Sequence, residues 1–540
     1  MHNRSALFLL LCLSACCLKA QSLPAQSVAN QWTWVGGSNT VPIVPGGTSG
    51  QPGVYGTLGT PAPGNIPGGR QGAVSWTDKN GNLWLFGGSG YDSNGTFALL
   101  NDLWEYQVSI GQWAWMGGAM FVPPGTPESG GDPGVYGSLG VPSTANMPGS
   151  RTGAVAWTDK NGNFWLFGGA GIDSTGASVG LNDLWECVPS AGTWAWMAGS
   201  SAVGKAGMVP GSYGTLGQSS PTNVPGSRNF AVSWTDNNGN LWLFGGYGSD
   251  ATNAVDDLND LWEYSPSSGQ WTWMSGSSTL INGIGPPGKY ETLGTPSAGS
   301  APGSRDTAVG WTGPDGSLWL FGGFGFMPGS QGFLNDLWKF DPATSEWTWI
   351  SGSDTVPFGN NGNAGVYGAL DTPSATNVPG SRSSPAAWTD RNGKLWLFGG
   401  QGDDSTGSFI DLLSDLWMFD PSTNLWTWVG GNNRFSNSCV PQTTCGQGGT
   451  YGTLGIASSQ NLPGSRLSDI AWTDPKHNFW LFGGSGQDAK GTLGLLNDLW
   501  EYQQPSLPTA PPLFNTAPGT YTSIQSLTLS DATPGATIYY

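Results

Sequence analysis

The sequence predicts an all-β protein made of six repeated four-stranded units, and three observations support this prediction. The 540 residues include 88 Gly and 39 Pro, a composition typical of many tight turns. The 30 Trp, 21 Phe and 14 Tyr argue against disorder, because disordered chains are poor in aromatic residues. A set of short motifs recurs six times along the chain, which is typical of a repeat architecture.

The repeated motifs account for every tryptophan. Each repeat contains a WT string, an LWLFGG or FWLFGG string, an NDLW-type string and a WxW pair, so five Trp positions in six copies give the 30 Trp of the chain. No Trp is left over as a dedicated ligand platform, and we predict that every Trp belongs to the scaffold. The LWLFGG-type strings place their Trp at Trp84, Trp165, Trp242, Trp319, Trp396 and Trp480.

Each repeat predicts four strands. An alternating segment follows a repeated Arg, and a turn rich in Asp, Asn and Gly leads into LWLF. That continuous apolar run is typical of a strand buried on both faces, and the turn composition is typical of a tight hairpin. The NDLW-type string and the WxW pair predict the third and fourth strands. Four antiparallel strands in six copies predict a six-bladed β-propeller.

The two ends of the repeat region predict how the ring closes. Gln31–Gly37 matches a fourth strand with no blade before it, and Asn497–Gln503 matches a third strand with no fourth after it. We therefore predict that the N-terminal strand completes the last blade and places Trp32 beside Tyr502. Such closure leaves no open edge between the first and last blades.

A glycine pair followed by an aromatic residue and then by a Trp resembles the kelch repeat. Gly87-Gly88 with Tyr106 and Trp113 is one of six examples, and the resemblance covers residues 31–503. It implies a kelch-type β-propeller, similar to the central propeller of galactose oxidase. The units here are longer than ordinary kelch repeats of about 50 residues.

The residue inventory argues against several kinds of catalytic site. The copper site of galactose-oxidase-like enzymes needs two His and two Tyr, whereas this chain has His2, in a predicted leader, and His477, in a predicted turn. The same shortage argues against a Ser or Cys triad. Glu291 departs from the repeat and is interpreted as a solvated loop carboxylate. We expect no catalytic residue, no metal site and no cofactor.

Loops with the pattern D-x-x-G are interpreted as turns rather than calcium sites, because no full calcium-loop signature is present. Their acidic residues are Asp92, Asp173, Asp404 and Asp488.

The extra length of each repeat lies between the WxW pair and the next repeated Arg. These inserts carry a YGTLG-like string and join the fourth strand of one blade to the first strand of the next. Together with the loops between second and third strands, they are predicted to elaborate one face of the propeller. The opposite face carries only tight turns. We call these the loop-rich end and the turn end.

The repeated arginines are the candidate ligand-binding residues. Each lies at the start of a first strand, nearest the predicted channel, and the resemblance to kelch propellers implies that such a ring binds carboxylates or sugar acids. Guanidinium groups suit these ligands. The favoured interpretation is structural, a salt bridge between blades with a repeated Asp, because a repeated residue first serves what is repeated. The six are Arg70, Arg151, Arg228, Arg305, Arg382 and Arg466.

The N-terminus and the cysteines predict an exported protein. Residues 1–22 have the charged start and apolar stretch of a signal peptide. They end either at a signal peptidase site or at a bacterial lipobox that would leave Cys16 lipidated. Cys439 and Cys445 lie in one polar loop and are predicted to form a disulfide. Cys187 is predicted to be a buried free thiol.

The C-terminal segment has a different composition. Residues 504–512 form a Pro-rich linker. Residues 513–540 resemble the start of a chitobiase/β-hexosaminidase C-terminal-type domain, a small β-sandwich. A sandwich needs about seven strands, so we expect this segment to be a partial domain and the chain to be a fragment of a longer protein.

Charge and hydropathy limit the partners. The net charge of −18 and the absence of a basic stripe argue against nucleic acid. No apolar run of about 18 residues predicts a membrane-spanning helix. We therefore expect a monomeric, non-catalytic recognition module, secreted or held as an outer-surface or periplasmic lipoprotein, that binds glycan or extracellular protein. The alternatives are an exported enzyme acting on acidic sugars and a structural spacer.

Overall fold

The computed structural model describes residues 30–43, 49–122, 130–203, 207–357, 362–407, 410–435, 446–504, 513–514 and 529–530. The fold is all-β. Within these ranges, six antiparallel sheets each contain four main strands of one repeat, and the sixth sheet takes one of its four from the N-terminal segment. The one helical element in the same ranges is the short 3₁₀ turn Pro189–Ala191. We number the repeats as units 1 to 6, beginning with the unit that contains Arg70.

The four strands of each unit are called inner, second, third and outer. The inner strands are Val74–Thr77, Val155–Thr158, Val232–Thr235, Val309–Thr312, Ala386–Thr389 and Ile470–Thr473. The second strands are Leu83–Tyr91, Phe164–Ile172, Leu241–Phe244, Leu318–Phe321, Leu395–Phe398 and Phe479–Phe482. The third strands are Phe97–Gln107, Ser178–Val188, Leu261–Ser265, Leu337–Asp341, Leu416–Asp420 and Leu499–Gln503. The outer strands are Gln112–Gly117, Thr193–Ala198, Gln270–Ser275, Glu346–Ser351, Leu425–Gly430 and, for unit 6, Gln31–Gly36.

A two-residue entry strand precedes each inner strand and starts at the repeated Arg. The entry strands are Arg70–Gln71, Arg151–Thr152, Arg228–Asn229, Arg305–Asp306, Arg382–Ser383 and Arg466–Leu467. In units 3 to 6 they belong to separate three-stranded sheets. The other strands of these sheets are Tyr247–Ser249 with Val255–Asp257, Phe324–Met327 with Ser330–Phe333, Gln401–Asp403 with Ile410–Leu412, and Ser485–Gln487 with Leu493–Leu495.

The second strand is buried along its whole LWLF run in every unit, as its composition predicts. The glycine pair that follows has positive φ at both positions, +68° at Gly87 and +93° at Gly88 in unit 1. A side chain at Gly88 would meet the carbonyl of Gln71 and the methyl group of Ala73. Glycine is therefore needed at both positions, for backbone conformation and for close packing.

The six inner strands contact one another in a closed circle. The inner-strand Trp of each unit donates its indole N–H to the carbonyl of the second-strand Trp in the next unit. Trp76 donates to Trp165 at 3.1 Å, and Trp472 of unit 6 donates to Trp84 of unit 1 at 2.8 Å. We call each of these hydrogen bonds an indole latch. All six are present, so the same bond joins every pair of neighbouring units.

The N-terminal strand completes unit 6. Gln31–Gly36 pairs antiparallel with Leu499–Gln503, and Trp32 lies opposite Tyr502 as the sequence predicts. The Trp32 ring also contacts Trp388 and Phe398 of unit 5. The strand is thus packed into the core between two units.

We expect Trp32→Ala to lower the free energy of unfolding by about 3–5 kcal/mol, because it empties a buried aromatic site. Trp113 holds the same position in unit 1, and Trp113→Ala is the matched control in an outer strand that follows its own third strand directly. Chemical denaturation followed by tryptophan fluorescence measures both. A much smaller loss for Trp32→Ala would show that the N-terminal strand is a peripheral addition.

The inserts were predicted only to elaborate one end of the propeller, but they also pair with the outer strands. In unit 1, Ala62 forms an antiparallel bridge with Trp113 of the outer strand, and the N–H of Gly59 donates to the carbonyl of Trp115. Equivalent bridges occur in all six units. Each insert therefore covers the edge of the outer strand in its own sheet, which would otherwise be open to pairing with another chain.

The chain divides into two compact parts: Asn30–Gln504, which contains all six repeat units, and a second part made of Met1–Ala29 with Pro505–Tyr540. In the second, Leu513–Phe514 pairs antiparallel with Leu529–Ser530. The predicted signal peptide, Cys16, and the Cys439–Cys445 disulfide lie outside the described residues. The same holds for most of the Pro-rich linker and of the sandwich segment.

Candidate functional site

Each repeated Arg is the centre of a buried hydrogen-bonded hub. In unit 1, Arg70 donates to both carboxylate oxygens of Asp102, at 2.6 and 2.8 Å, and to the backbone carbonyls of Gly68 and Gly87. Asp102 also accepts hydrogen bonds from the Tyr55 hydroxyl and the Trp104 indole, both at 2.7 Å. The repeated Arg, Asp, Tyr and Trp thus satisfy one another.

The six hubs correct the predicted ligand-binding ring. The side chains of Arg70, Arg151, Arg228, Arg305, Arg382 and Arg466 are all at most 1% exposed, so a ligand at the channel does not reach them. The structural interpretation is confirmed in that each Arg forms a salt bridge with a repeated Asp, but its placement between blades is wrong, because each Arg pairs with an Asp of its own unit. The partners are Asp102, Asp183, Asp260, Asp336, Asp415 and Asp498.

The hubs tie the inserts to the sheets. Tyr55 comes from the YGTLG string of the insert and packs on the rings of Trp104 and Trp115. Burial and the negative charge of Asp102 raise the pKa of Tyr55 well above its usual value, so its hydroxyl stays a donor. The invariant Tyr, Arg and Asp of the repeat are therefore explained by structure, and a ligand role must be sought elsewhere.

A ring of six backbone hydrogen bonds encircles the axis at the loop-rich end. In each unit, the residue that directly follows the entry strand donates its N–H to the equivalent carbonyl of the preceding unit, at 2.7–3.0 Å. All six have positive φ, although only two are glycine. We call them the axial ring: Gly72, Gly153, Phe230, Thr307, Ser384 and Ser468.

The turn end of the axis has a cavity of about 640 Å³ between the inner strands. Its wall repeats the same side chains from every unit, so it is nearly uniform around the axis. Thr77 donates its hydroxyl to the Thr473 carbonyl of the neighbouring unit at 3.2 Å, which links adjacent inner strands. The lining threonines are Thr77, Thr158, Thr235, Thr312, Thr389 and Thr473.

The remaining sequence candidates have structural or solvent-exposed positions. His477 is exposed in a turn with φ +65° and borders the turn-end cavity. Glu291 is exposed and accepts a hydrogen bond from Ser297. Asp92 is buried and accepts backbone N–H bonds from Asn94 and Thr96, which is turn chemistry. Cys187 is a buried free thiol, as predicted.

The loop-rich end carries a second set of residues that differ from unit to unit. The second residue of each entry strand lies opposite one residue of the strand that pairs with the entry strand. That residue in turn lies opposite one residue of the next strand in the same antiparallel sheet. Side chains paired in this way share one face of a sheet. We call each set of three a row.

The rows of four units contain mostly small or aliphatic residues, whereas units 3 and 4 contain aromatic and acidic ones. The rows are Gln71–Ser89–Leu99, Thr152–Ala170–Gly180, Asn229–Tyr247–Asp257, Asp306–Phe324–Phe333, Ser383–Gln401–Leu412 and Leu467–Ser485–Leu495.

The acidic residues of units 3 and 4 influence one another. Burial and the charges of Asp306 and Asp256 raise the pKa of Asp257 to about 8. Burial raises the pKa of Asp306 to about 6, with a hydrogen bond from Thr307 opposing the shift. These groups belong to two adjacent units: Asp257 ends the strand Val255–Asp257 of unit 3, and Arg305, next to Asp306 in unit 4, donates its N–H to the carbonyl of Leu258 at 3.0 Å.

Sequence reasoning missed the rows and the axial ring. It singled out residues that recur in all six repeats, and the structure assigns those to the scaffold. A position-by-position comparison of the six repeats would have identified the rows, because Tyr247 and Phe324 stand where sister units have Ser, Ala or Gln.

The described residues define an all-β repeat protein with a strictly repeated interior. Within them, no helix has the length and hydrophobicity of a membrane span, and no three His, Cys, Asp or Glu residues form a group suited to a metal ion.

No protein family model matches the chain. It is similar to tip elongation aberrant protein 3 of Schizosaccharomyces pombe, with 31% identity over 205 residues. The match covers 36% of this chain and 15% of that protein, so the chain corresponds to a small part of that relative's length.

Proposed function

We propose that the six units are the blades of a kelch-type β-propeller and that the protein is an exported, non-catalytic recognition module. Its binding surface is the loop-rich end around the axis, formed by the axial ring and the rows. The closed circle of inner strands and the completion of unit 6 by the N-terminal strand support the propeller assignment.

The observation that carries the binding proposal is the contrast between interior and axial end. The Arg, Asp, Tyr and Trp of the hubs are the same in all six units, because each unit needs the same internal contacts. The row and axial-ring positions differ among units at one end of the same scaffold. A surface where a symmetric scaffold becomes asymmetric suits an asymmetric ligand, such as a glycan or a protein segment.

The enzyme alternative has lost the residues it relied on. It required arginine ligands for an acidic sugar, and all six are buried and paired with aspartates. The spacer alternative predicts that no ligand binds at either end of the axis.

We expect Phe230→Gly to weaken ligand binding while leaving the fold intact. Phe230 has φ +53°, and two sister units have Gly at the same axial-ring position, so glycine suits the backbone. Binding of the full chain to an array of neutral, acidic and basic glycans, and to extracellular protein fractions, identifies the ligand. Its dissociation constant is then measured for both proteins.

The matched control is His477→Gly. His477 also has a positive φ and also replaces a glycine of the sister units, but it lies at the turn end. Loss of binding in Phe230→Gly alone supports the loop-rich end as the binding surface. Loss in His477→Gly alone would place the site at the turn end, and no ligand on either screen would favour the spacer.

A further inference from the structure

Two neighbouring units bring aromatic rings and carboxyl groups together at the loop-rich end. Their rows are joined through the axial ring, since Thr307 donates its N–H to the carbonyl of Phe230. We call the six row residues the aromatic–acidic patch: Asn229, Tyr247, Asp257, Asp306, Phe324 and Phe333.

The aromatic rings of the patch are not required by the scaffold. Tyr247 is 40% exposed, whereas none of the 30 Trp is exposed. Phe324 and Phe333 are half-buried, with ring centroids 5.3 Å apart in an edge-to-face arrangement. Sister units fold with Ser89, Ala170, Gln401 or Ser485 at the Tyr247 position. An exposed ring at such a position provides an apolar platform that a ligand can reach.

The carboxyl groups of the patch lack a cation of their own. Asp257 is 3% exposed, is repelled by Asp306 and Asp256, and accepts a side-chain hydrogen bond from Gln331. The neighbouring Arg305 donates to both oxygens of Asp336 and to two backbone carbonyls. Its charge is therefore largely balanced by Asp336. A positive group placed between Asp257 and Asp306 would stabilise the ionised form of both carboxyl groups and offset the repulsion between them.

We propose that the aromatic–acidic patch binds an amino sugar, with its ammonium group near Asp257 and Asp306 and one face of its ring on Tyr247. This inference rests on the proposed function and names the ligand class of that surface. Aromatic rings beside carboxylates favour ligands that combine an apolar face with a positive charge. The amide group of Asn229 offers both a donor and an acceptor for sugar hydroxyls. A lysine-rich peptide presents the charge without the hydroxylated ring.

Isothermal titration calorimetry of the full chain tests the proposal with three probes: a β-1,4-linked glucosamine tetramer, the corresponding N-acetylglucosamine tetramer and tetralysine. We expect the glucosamine tetramer to bind at least about tenfold more tightly than the other two, because only it combines charge and ring face. Tyr247→Ser and Asp306→Ser should each weaken its binding about tenfold. Both substitutions reproduce residues of sister units, Ser89 and Ser383, and circular dichroism verifies the fold.

The control variant is Ile110→Ser, which removes an exposed apolar side chain at the turn between the third and outer strands of unit 1, outside the rows and the axial ring, and should leave binding unchanged. Equal binding of the acetylated tetramer, or of tetralysine, would overturn recognition of an amino sugar. Unchanged affinity in Tyr247→Ser and Asp306→Ser would overturn the location. If another ligand binds and is lost in Phe230→Gly, the proposed function stands while this inference fails. If neither surface binds any ligand, both fail.

Discussion

Asp260→Ala is expected to lower the free energy of unfolding by about 3–5 kcal/mol. Asp260 accepts two hydrogen bonds from Arg228, one from the Tyr213 hydroxyl and one from the Trp262 indole. Its removal leaves the charge of Arg228 buried at 1% exposure without a counterion, a costly arrangement. Urea denaturation monitored by tryptophan fluorescence measures the loss.

Two variants separate the hub from a general effect of removing an aspartate. Asp354 is exposed in a loop, and Asp354→Ala should change stability by less than about 0.5 kcal/mol. The double variant Arg228→Met/Asp260→Leu should be more stable than Asp260→Ala, because it removes the unpaired charge together with its partner. An Asp260→Ala protein as stable as Asp354→Ala would contradict the structural role of the hubs.

Asp469→Ala is expected to stabilise the protein by about 2–4 kcal/mol at pH 8. Asp469 stands where the other units have Ala73, Ala154, Ala231, Ala308 and Pro385. Both of its carboxylate oxygens are shielded from solvent and have no hydrogen-bond partner. Burial raises its pKa to about 7, with Arg466 opposing the shift and Asp498 adding to it.

The gain from Asp469→Ala should depend on pH. The folded protein holds the Asp469 proton more tightly than the unfolded chain, whose carboxyl has a pKa of about 3.9. The carboxyl therefore costs nothing below about pH 4, and its cost grows until about pH 7. Thermal melts at pH 4.5 and pH 8 should show a small and a large gain respectively. Ala308→Asp, the reverse change in unit 4, should destabilise more at pH 8, and equal gains at both pH values would contradict the account.

The local pattern of residues predicted the strands well, because hydrophobic periodicity directly reflects burial. The LWLF runs are buried second strands, and Trp32 lies opposite Tyr502. The path of the inserts was harder to predict, since their backbone bonds to an outer strand join residues such as Gly59 and Trp115 that are remote in sequence. Glycine-rich loops carry no periodic signal that identifies such a partner.

The candidate site was predicted poorly for a related reason. The residue type of a repeated Arg such as Arg305 is compatible both with a buried hub and with a ring of ligand-binding residues. Only the three-dimensional structure shows that it pairs with Asp336. Tyr247 and Asp257 belong to no motif. They stand out only when they are compared with the different residues at the equivalent positions of the other units. Repetition in a sequence of this kind marks the scaffold, and departures from repetition mark the surface on which function is to be sought.

The closed circle of indole latches has a consequence for how the protein unfolds. In an open stack of repeats, terminal units have one neighbour and fray first, and stability is a sum of units and interfaces. Here every unit donates an indole hydrogen bond to the next unit and accepts one from the preceding unit, from Trp76 around to Trp472. No unit is terminal, so losing one breaks two latches at once. Unfolding of the ring should therefore be a single cooperative transition rather than a progressive loss from one end.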